Sequence, residues 1–233
     1  MHPLHPWDVS PAEAIAVQER LARHLRLEPL PTPPQTVCGL DLSAEDAEGW
    51  AIGAAVVVAF PNLEVVEVRT ARRQVTFPYI PGLLAFREVP VLVAALERLT
   101  ITPDCFIVDG QGIAHPRRFG IACHIGLLVD RPTIGCAKSL LRGTHAPVAD
   151  KAGAWEPLVD RGEVIGAAVR TRAGGAPVYV SPGHRIDLAG AVRIVVACSR
   201  GHRLPEPTRL AHLAAGGRLP ERAPHTPWQE RLL

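Results

Sequence analysis

Lysine is nearly missing from this chain: of 25 basic residues only Lys138 and Lys151 are lysines, and the rest are arginines. Against that background Lys138, which closes an apolar segment, stands out. The sequence also lacks any Cys-x-x-Cys pair. Its five cysteines (Cys38, Cys105, Cys123, Cys136 and Cys198) are odd in number, with gaps of 67, 18, 13 and 62. That spacing fits neither a disulfide framework nor a zinc site, so the thiols read as reduced, mostly buried small apolar residues, and the expected compartment is cytoplasmic. There is no long hydrophobic run either. The longest uncharged apolar stretch, Trp50 to Phe60, is 11 residues, too short to span a bilayer, and the first residues (His2, His5, Asp8) predict no export segment. Charge of one sign is not in excess: 25 Lys+Arg against 23 Asp+Glu gives +2. Bulk charge therefore makes no nucleic-acid binder, and any basic surface must be local. No internal repeat or low-complexity tract occurs.

What is present is 233 residues with 47% hydrophobic content, enough to bury a real core in a single domain spanning 1–233. Ser10, Pro11 and Glu13 start a helix whose apolar spacing carries it to about Leu27. Four prolines in Glu28 to Gln35 then make an extended linker, so 1–35 reads as helix plus linker. Three Val- and Ile-rich runs, Thr36–Ser43, Trp50–Phe60 and Val65–Val75, predict consecutive antiparallel strands. A helix follows over Leu83–Leu99, bent or restarted at Pro90. Then come a strand (Cys105–Val108), a helix (Phe119–Val129) and a strand (Thr133–Ala137). Further strands are expected near Glu163–Arg170 and Pro177–Val180, with helices over Leu188–Cys198 and Thr208–Ala215. Residues 216–233 read as a flexible tail. The order implies an α/β fold: a mixed sheet of three antiparallel strands followed by alternating helix and parallel strand, with helices on both faces. Sites in such sheets lie at the carboxyl ends of the strands.

Two acids sit where apolar strands should have none. Asp41 follows Val37-Cys38-Gly39-Leu40, and Asp109 ends Phe106-Ile107-Val108. A carboxylate there is costly to desolvate without a cation or donor. If those strands are neighbours, Glu88 can reach over from the helix, and three like charges call for a bound divalent cation. An all-oxygen set suits Mg²⁺ or Mn²⁺ and suggests metal-assisted phosphodiester hydrolysis. Taken singly, Asp109 is equally a turn cap and Glu88 a first-turn acid pairing with the helix dipole. Glu45, Asp46 and Glu48, in the acidic stretch after Asp41, belong to a hairpin turn or compete as ligands.

Several segments together resemble the endonuclease V family, whose fold is ribonuclease H-like. They are Pro78-Tyr79-Ile80-Pro81-Gly82-Leu83-Leu84-Ala85-Phe86-Arg87-Glu88, Asp109-Gly110-Gln111-Gly112-Ile113-Ala114-His115-Pro116-Arg117, Gly135-Cys136-Ala137-Lys138-Ser139, Val180-Ser181-Pro182-Gly183-His184 and Pro205-Glu206-Pro207-Thr208-Arg209-Leu210-Ala211-His212. The resemblance implies a Mg²⁺-dependent DNA repair endonuclease (Mn²⁺ able to substitute). It would act on DNA containing deoxyinosine or other deaminated or distorted sites. The second phosphodiester bond 3′ to hypoxanthine is cut, leaving 3′-hydroxyl and 5′-phosphate ends. Asp41, Asp109 and Glu88 would hold metal, His212 would bind metal or move protons, and Lys138 would stabilise phosphate charge or orient water. Tyr79, held out between two prolines, would be the strand-separating wedge, although without its flanking motif it reads as a packing tyrosine. Gly82, Leu84, Gly110, Ile121 and Gly135 would form the pocket for the extruded base, and His115 and Arg117 would contact DNA.

His124 reads as a satisfied core histidine and His184 as ordering a loop near the site. Arg69, Arg72, Arg73, Arg117, Arg118, Arg142 and Arg209 are candidates for a phosphate-binding face, with a charge-balanced surface as the default. Ser139 and Ser181 lack nucleophile context. The alternatives are an inosine-specific endoribonuclease on the same scaffold, a non-catalytic inosine-binding module and a junction-resolving nuclease. A wedge and a base pocket suit a monomer.

Overall fold

The Val-rich runs after the linker form β1 (Thr36–Leu42), β2 (Trp50–Ala59) and β3 (Val65–Gln74), an antiparallel meander as expected. The computed structural model describes residues 4–224. Beyond the meander, α2 (Leu84–Leu96), β4 (Cys105–Val108), α3 (Ile121–Val129) and β5 (Thr133–Ala137) alternate, and both strands run parallel to β1. The sheet is completed by β6 (Trp155–Asp160), β7 (Glu163–Val169) and β8 (Val178–His184), giving eight strands in the order β3-β2-β1-β4-β5-β8-β7-β6. This is the ribonuclease H-like mixed sheet, extended by three antiparallel strands.

Alternation along the strands divides the core in two. Cys38, Leu40, Phe106 and Val108 pack under α2 and α3. Val37, Ile107 and Ile134 pack under α4 (Leu188–Ala197) and α5 (Glu206–Ala215) on the other face. Each fully buried aliphatic side chain contributes about 1.5–3 kcal/mol, so the two-sided burial fixes the register of the central strands. No helix among the described residues is long and apolar enough to cross a membrane.

Four expectations are corrected. Helix α1 (Pro11–Ala22), with its Ser10–Glu13 capping box, stops short of Leu27, because the Arg26 N–H donates to His184 Nδ1 and its carbonyl accepts from the Arg185 N–H. Helix α2 does not restart at Pro90 but runs through it as one element, with Val89, Val91 and Leu92 buried around it. Strand β6 was not foreseen: its Pro157 argues against a strand, yet β6 is the sheet edge, where a missing N–H is tolerated. Finally, the tail is docked as far as Arg222, which pairs with Val68 of β3 at 3.0 and 3.2 Å, while Glu221 accepts from Thr70 and pairs with Arg98. The remainder of the expected tail, 225–233, lies outside the described residues.

Candidate active site

Parallel pairing sets Leu40 opposite Val108 and Val108 opposite Gly135, so the carboxyl ends of β1, β4 and β5 lie side by side. The Asp109 N–H donates to Leu40 O at 3.1 Å, which puts Asp109 next to Asp41. Gly39 matters here: a Cβ on it would lie 2.0 Å from the Pro207 carbonyl oxygen. Only glycine lets the start of α5 settle on β1, and α5 then carries His212 over the sheet end, its Nδ1 2.8 Å from Asp41 Oδ2. Glu88 arrives from α2 on the opposite face, and the Lys138 ammonium, just past β5, donates to Asp109 Oδ2.

The electrostatics follow from this crowding. Burial first, then the Asp41 and Asp109 charges, push the Glu88 carboxyl up to about 8. Glu88 makes no hydrogen bond or ion pair among the described residues. Asp41 is likewise raised, by burial and then by Asp109, against the Leu42 N–H, Lys138 and His212. Burial works against the Lys138 charge, but the Asp109 hydrogen bond and the Asp109 and Asp41 charges outweigh it and raise its pKa. Among the described residues no three His, Cys, Asp or Glu side chains already converge as a ligand cage. The donor set is nonetheless all oxygen and under mutual repulsion, which fits Mg²⁺, an ion usually held by one or two carboxylates with water and phosphate completing its shell.

All five of these residues line one cleft of about 440 Å³, together with Tyr79, Gly82, Leu84, Gly110, Ile121 and His115. Tyr79 stands 70% exposed at its edge. A larger cleft of about 570 Å³ opens under the Pro-rich linker at the other end of the strands. Its acids are already engaged: Asp104 accepts from the Gln35 and Thr36 N–H groups and the Thr36 hydroxyl, and Glu28 pairs with Arg185.

Two assigned residues, Gly135 and Arg117, are not among those lining the cleft, and a third, His115, lines it with its polar atoms already engaged. Gly135 is not on the cleft wall but behind it, where a Cβ would lie 2.3 Å from the Gly112 nitrogen, so its role is to let the Gly110–Gly112 loop rest on β5. Arg117 is not among the residues lining the cleft and instead bonds two that are: Nη2 donates to Gly82 O at 2.7 Å and Nε to Gln18 Oε1 at 2.6 Å. His115 lines the cleft but is buried, with Nε2 2.9 Å from Gly82 O and Nδ1 accepting from the Arg117 N–H. Burial, then the Arg117 charge, lowers its pKa to about 4, so the ring is neutral and Nε2 carries the proton that Gly82 O accepts. Both side chains brace the Pro78–Gly82 loop.

His184 is also displaced from expectation, lying opposite Thr133 at the far end of the sheet and bonded to Asp130. His124 is a core residue, its Nε2 2.7 Å from His5 Nε2. Most of the candidate phosphate-binding arginines are engaged within the chain: Arg69 with Glu67, Arg72 with Asp46, Arg118 and Arg142 with Asp160, and Arg209 with Glu206. Asp46 and Glu45 belong to the hairpin turn, pairing with Arg72 and Arg87. All five cysteines are free and buried. Sequence reasoning missed Gln18, Ser43 and Leu141, which also line the cleft. Gln18 had a readable signal, a polar residue between Ala14 and Leu21 on the buried stripe of α1.

Residues 19–213 match the family model for endonuclease V. Endonuclease V of Roseiflexus sp. (strain RS-1) is 53% identical over 216 residues, covering 92% of this chain and 96% of the relative. The crystal structure of endonuclease V from Streptomyces avermitilis superposes with a TM-score of 0.83 at 42% identity, covering 88% of this chain and 91% of that one. Ciona intestinalis endonuclease V, solved in complex with a 24mer DNA containing an inosine followed by a ribo-adenosine, gives 0.77 at 26% identity, covering 88% and 96%. With the fold, the span of the match and these identities in agreement, the chain belongs to the endonuclease V family.

Proposed function

We propose that this chain is a Mg²⁺-dependent DNA repair endonuclease that recognises deoxyinosine and hydrolyses the second phosphodiester bond 3′ to it. The observation that carries the reading is that Asp41, Glu88 and Asp109 line one cleft with Lys138 and His212, and that Tyr79 stands at its rim. Asp41, Asp109 and Glu88 would hold the cation. Bound there, it supplies Lewis-acid stabilisation of charge at the scissile phosphate. Lys138 places its ammonium beside Asp109, where it stabilises the phosphate or orients the attacking water. His212, with its side chain 50% exposed and Nδ1 on Asp41, can exchange protons with solvent and hand one to the leaving oxygen. Hydrolysis adds hydroxyl to phosphorus and a proton to O3′ as the P–O3′ bond breaks, which leaves 3′-hydroxyl and 5′-phosphate ends.

Recognition is assigned to the other wall. Tyr79 wedges the strands apart, and the extruded base enters between Gly82–Leu84 and Gly110–Ile121, where close backbone favours a planar purine. The protein would work as a cytoplasmic monomer. The second reading is inosine in RNA, favoured by the ribo-adenosine that follows inosine in the DNA bound by the Ciona relative.

The test is cleavage of a duplex with one deoxyinosine, with Mg²⁺ or EDTA, mapped to the nucleotide beside an undamaged control and a matched inosine RNA. A Mg²⁺-dependent nick displaced to the 3′ side is expected. Faster cutting of the RNA would move the assignment to the second reading. Tight binding without a nick would make the chain a recognition module.

A further inference from the structure

Gln18 lies one residue before the span matched by the family model, on a helix that contributes no acid to the site. It is 0% exposed, and every polar group of its amide is engaged. Its Nε2 donates to Gly82 O at 3.0 Å and to Phe119 O at 3.1 Å, while Oε1 accepts from Arg117 Nε at 2.6 Å. Gly82 O also accepts from His115 Nε2 at 2.9 Å and Arg117 Nη2 at 2.7 Å. Three donors thus meet one carbonyl that has two lone pairs, a degree of restraint that an ordinary loop does not receive. Gly82 itself adopts φ +81, a backbone geometry that favours glycine.

The two carbonyls that Gln18 holds belong to segments far apart in sequence, each leading into residues that form part of the cleft wall. Gly82 leads into Leu84, and Phe119 precedes Gly120 and Ile121, all of them cleft residues except Phe119. We propose that Gln18 is a positioning residue that sets the separation of these two segments, and so the width of the base pocket, by hydrogen-bonding Gly82 and Phe119 at once. The proposal rests on the functional reading above. Helix α1 does not need glutamine to dock: Ala14 and Leu21 are buried against Phe77, Phe86, Ile113 and Phe119. An aliphatic side chain between them would pack without any desolvation of an amide. What glutamine adds is the fixed position of two backbone oxygens.

The test compares the full-length protein with Gln18→Met, which keeps chain length and removes all three hydrogen bonds. KM for a deoxyinosine duplex is expected to rise about tenfold, with kcat within about twofold and a matching loss of selectivity over an undamaged duplex. A purely structural role would instead lower the melting temperature and the active fraction, scaling kcat and leaving KM and selectivity alone. That outcome overturns the proposal. Gln18→Glu decides in the same way should Gln18→Met fail to fold, because it keeps volume and the Arg117 partner but aims lone pairs at both carbonyls. If wild type cuts and both variants match it, only the role of Gln18 falls. Failure of wild type to cut overturns the functional reading and this proposal with it.

Discussion

Two glutamates, Glu67 buried in the fold and Glu88 half-buried at the cleft, show how differently this fold treats the same side chain. Glu67, on β3 and 0% exposed, accepts from the Thr100 N–H and hydroxyl and the Ile101 N–H, and pairs with Arg69 at 2.9 Å. Glu88, on α2, has no such partner and faces Asp41 and Asp109, with its pKa near 8. Around Glu67 the chain has provided a donor for each oxygen, as a group that only joins β3 to the end of α2 requires. Around Glu88 it has gathered further negative charge. What sets Glu88 apart is the crowding of carboxylates without a bonded donor among the described residues, the pattern expected of a candidate functional acid.

Asp109→Asn or Asp41→Asn is expected to lower cleavage at least about a thousandfold, since the cation held there would lose a ligand, while binding to deoxyinosine DNA persists in a gel-shift assay. Substantial Mg²⁺-dependent cutting by either variant would remove the acids from the metal site. Glu67→Gln should do the reverse: lose about 3 kcal/mol in urea unfolding, because a buried pair is broken, yet leave the cleavage rate of the folded protein unchanged.

The same contrast explains what the sequence made legible. The cleft residues Asp41 and Asp109 stand out in the sequence because each interrupts or ends an apolar strand, and strand periodicity is local information. Glu88, Lys138 and His212 needed family motifs, since nothing local says that α2, β5 and α5 end at the same place. The packing that brings His212 to Asp41 depends on Gly39, and a glycine in a strand does not announce which backbone will rest on it. Arg117 and Gly135 were misplaced for a related reason: a motif names residues near a site without saying which face the ligand and which brace the loop. Strand β6 was hidden by Pro157, and the docked Glu221–Arg222 segment by a composition that reads as linker.

Histidine carries the comparison to cations. His115, satisfied as a neutral ring, has its pKa lowered to about 4 by burial and then by Arg117, whereas the ordinary value is 6.5. Between those values the unfolded chain binds the extra proton, so this contribution is intact above about pH 6.5 and is lost as pH falls toward 4. The full shift corresponds to at most about 3 kcal/mol. His115→Asn, which can still donate to Gly82 O, should lower stability at pH 7 but flatten its decline between pH 7 and 5, read as the difference in urea midpoint from wild type. An acid limb as steep as in wild type would show that His115 does not stay neutral in the fold.

Phe77 and Tyr79 are two residues apart, yet Phe77 is buried against Phe86 and Leu83 while Tyr79 is 70% exposed. Truncating Phe77 would open a cavity, whereas Tyr79→Ala should change stability by no more than about 0.5 kcal/mol. Its cost belongs to recognition. A stacked aromatic is worth about 1–3 kcal/mol per base, so affinity for a deoxyinosine duplex should fall roughly tenfold. On single-stranded deoxyinosine DNA there is no partner strand to displace, and the loss should be several-fold smaller. Equal losses on the two substrates would make Tyr79 a stacking surface rather than a wedge, and an aromatic held out between prolines would then serve to receive a base that has already left the duplex.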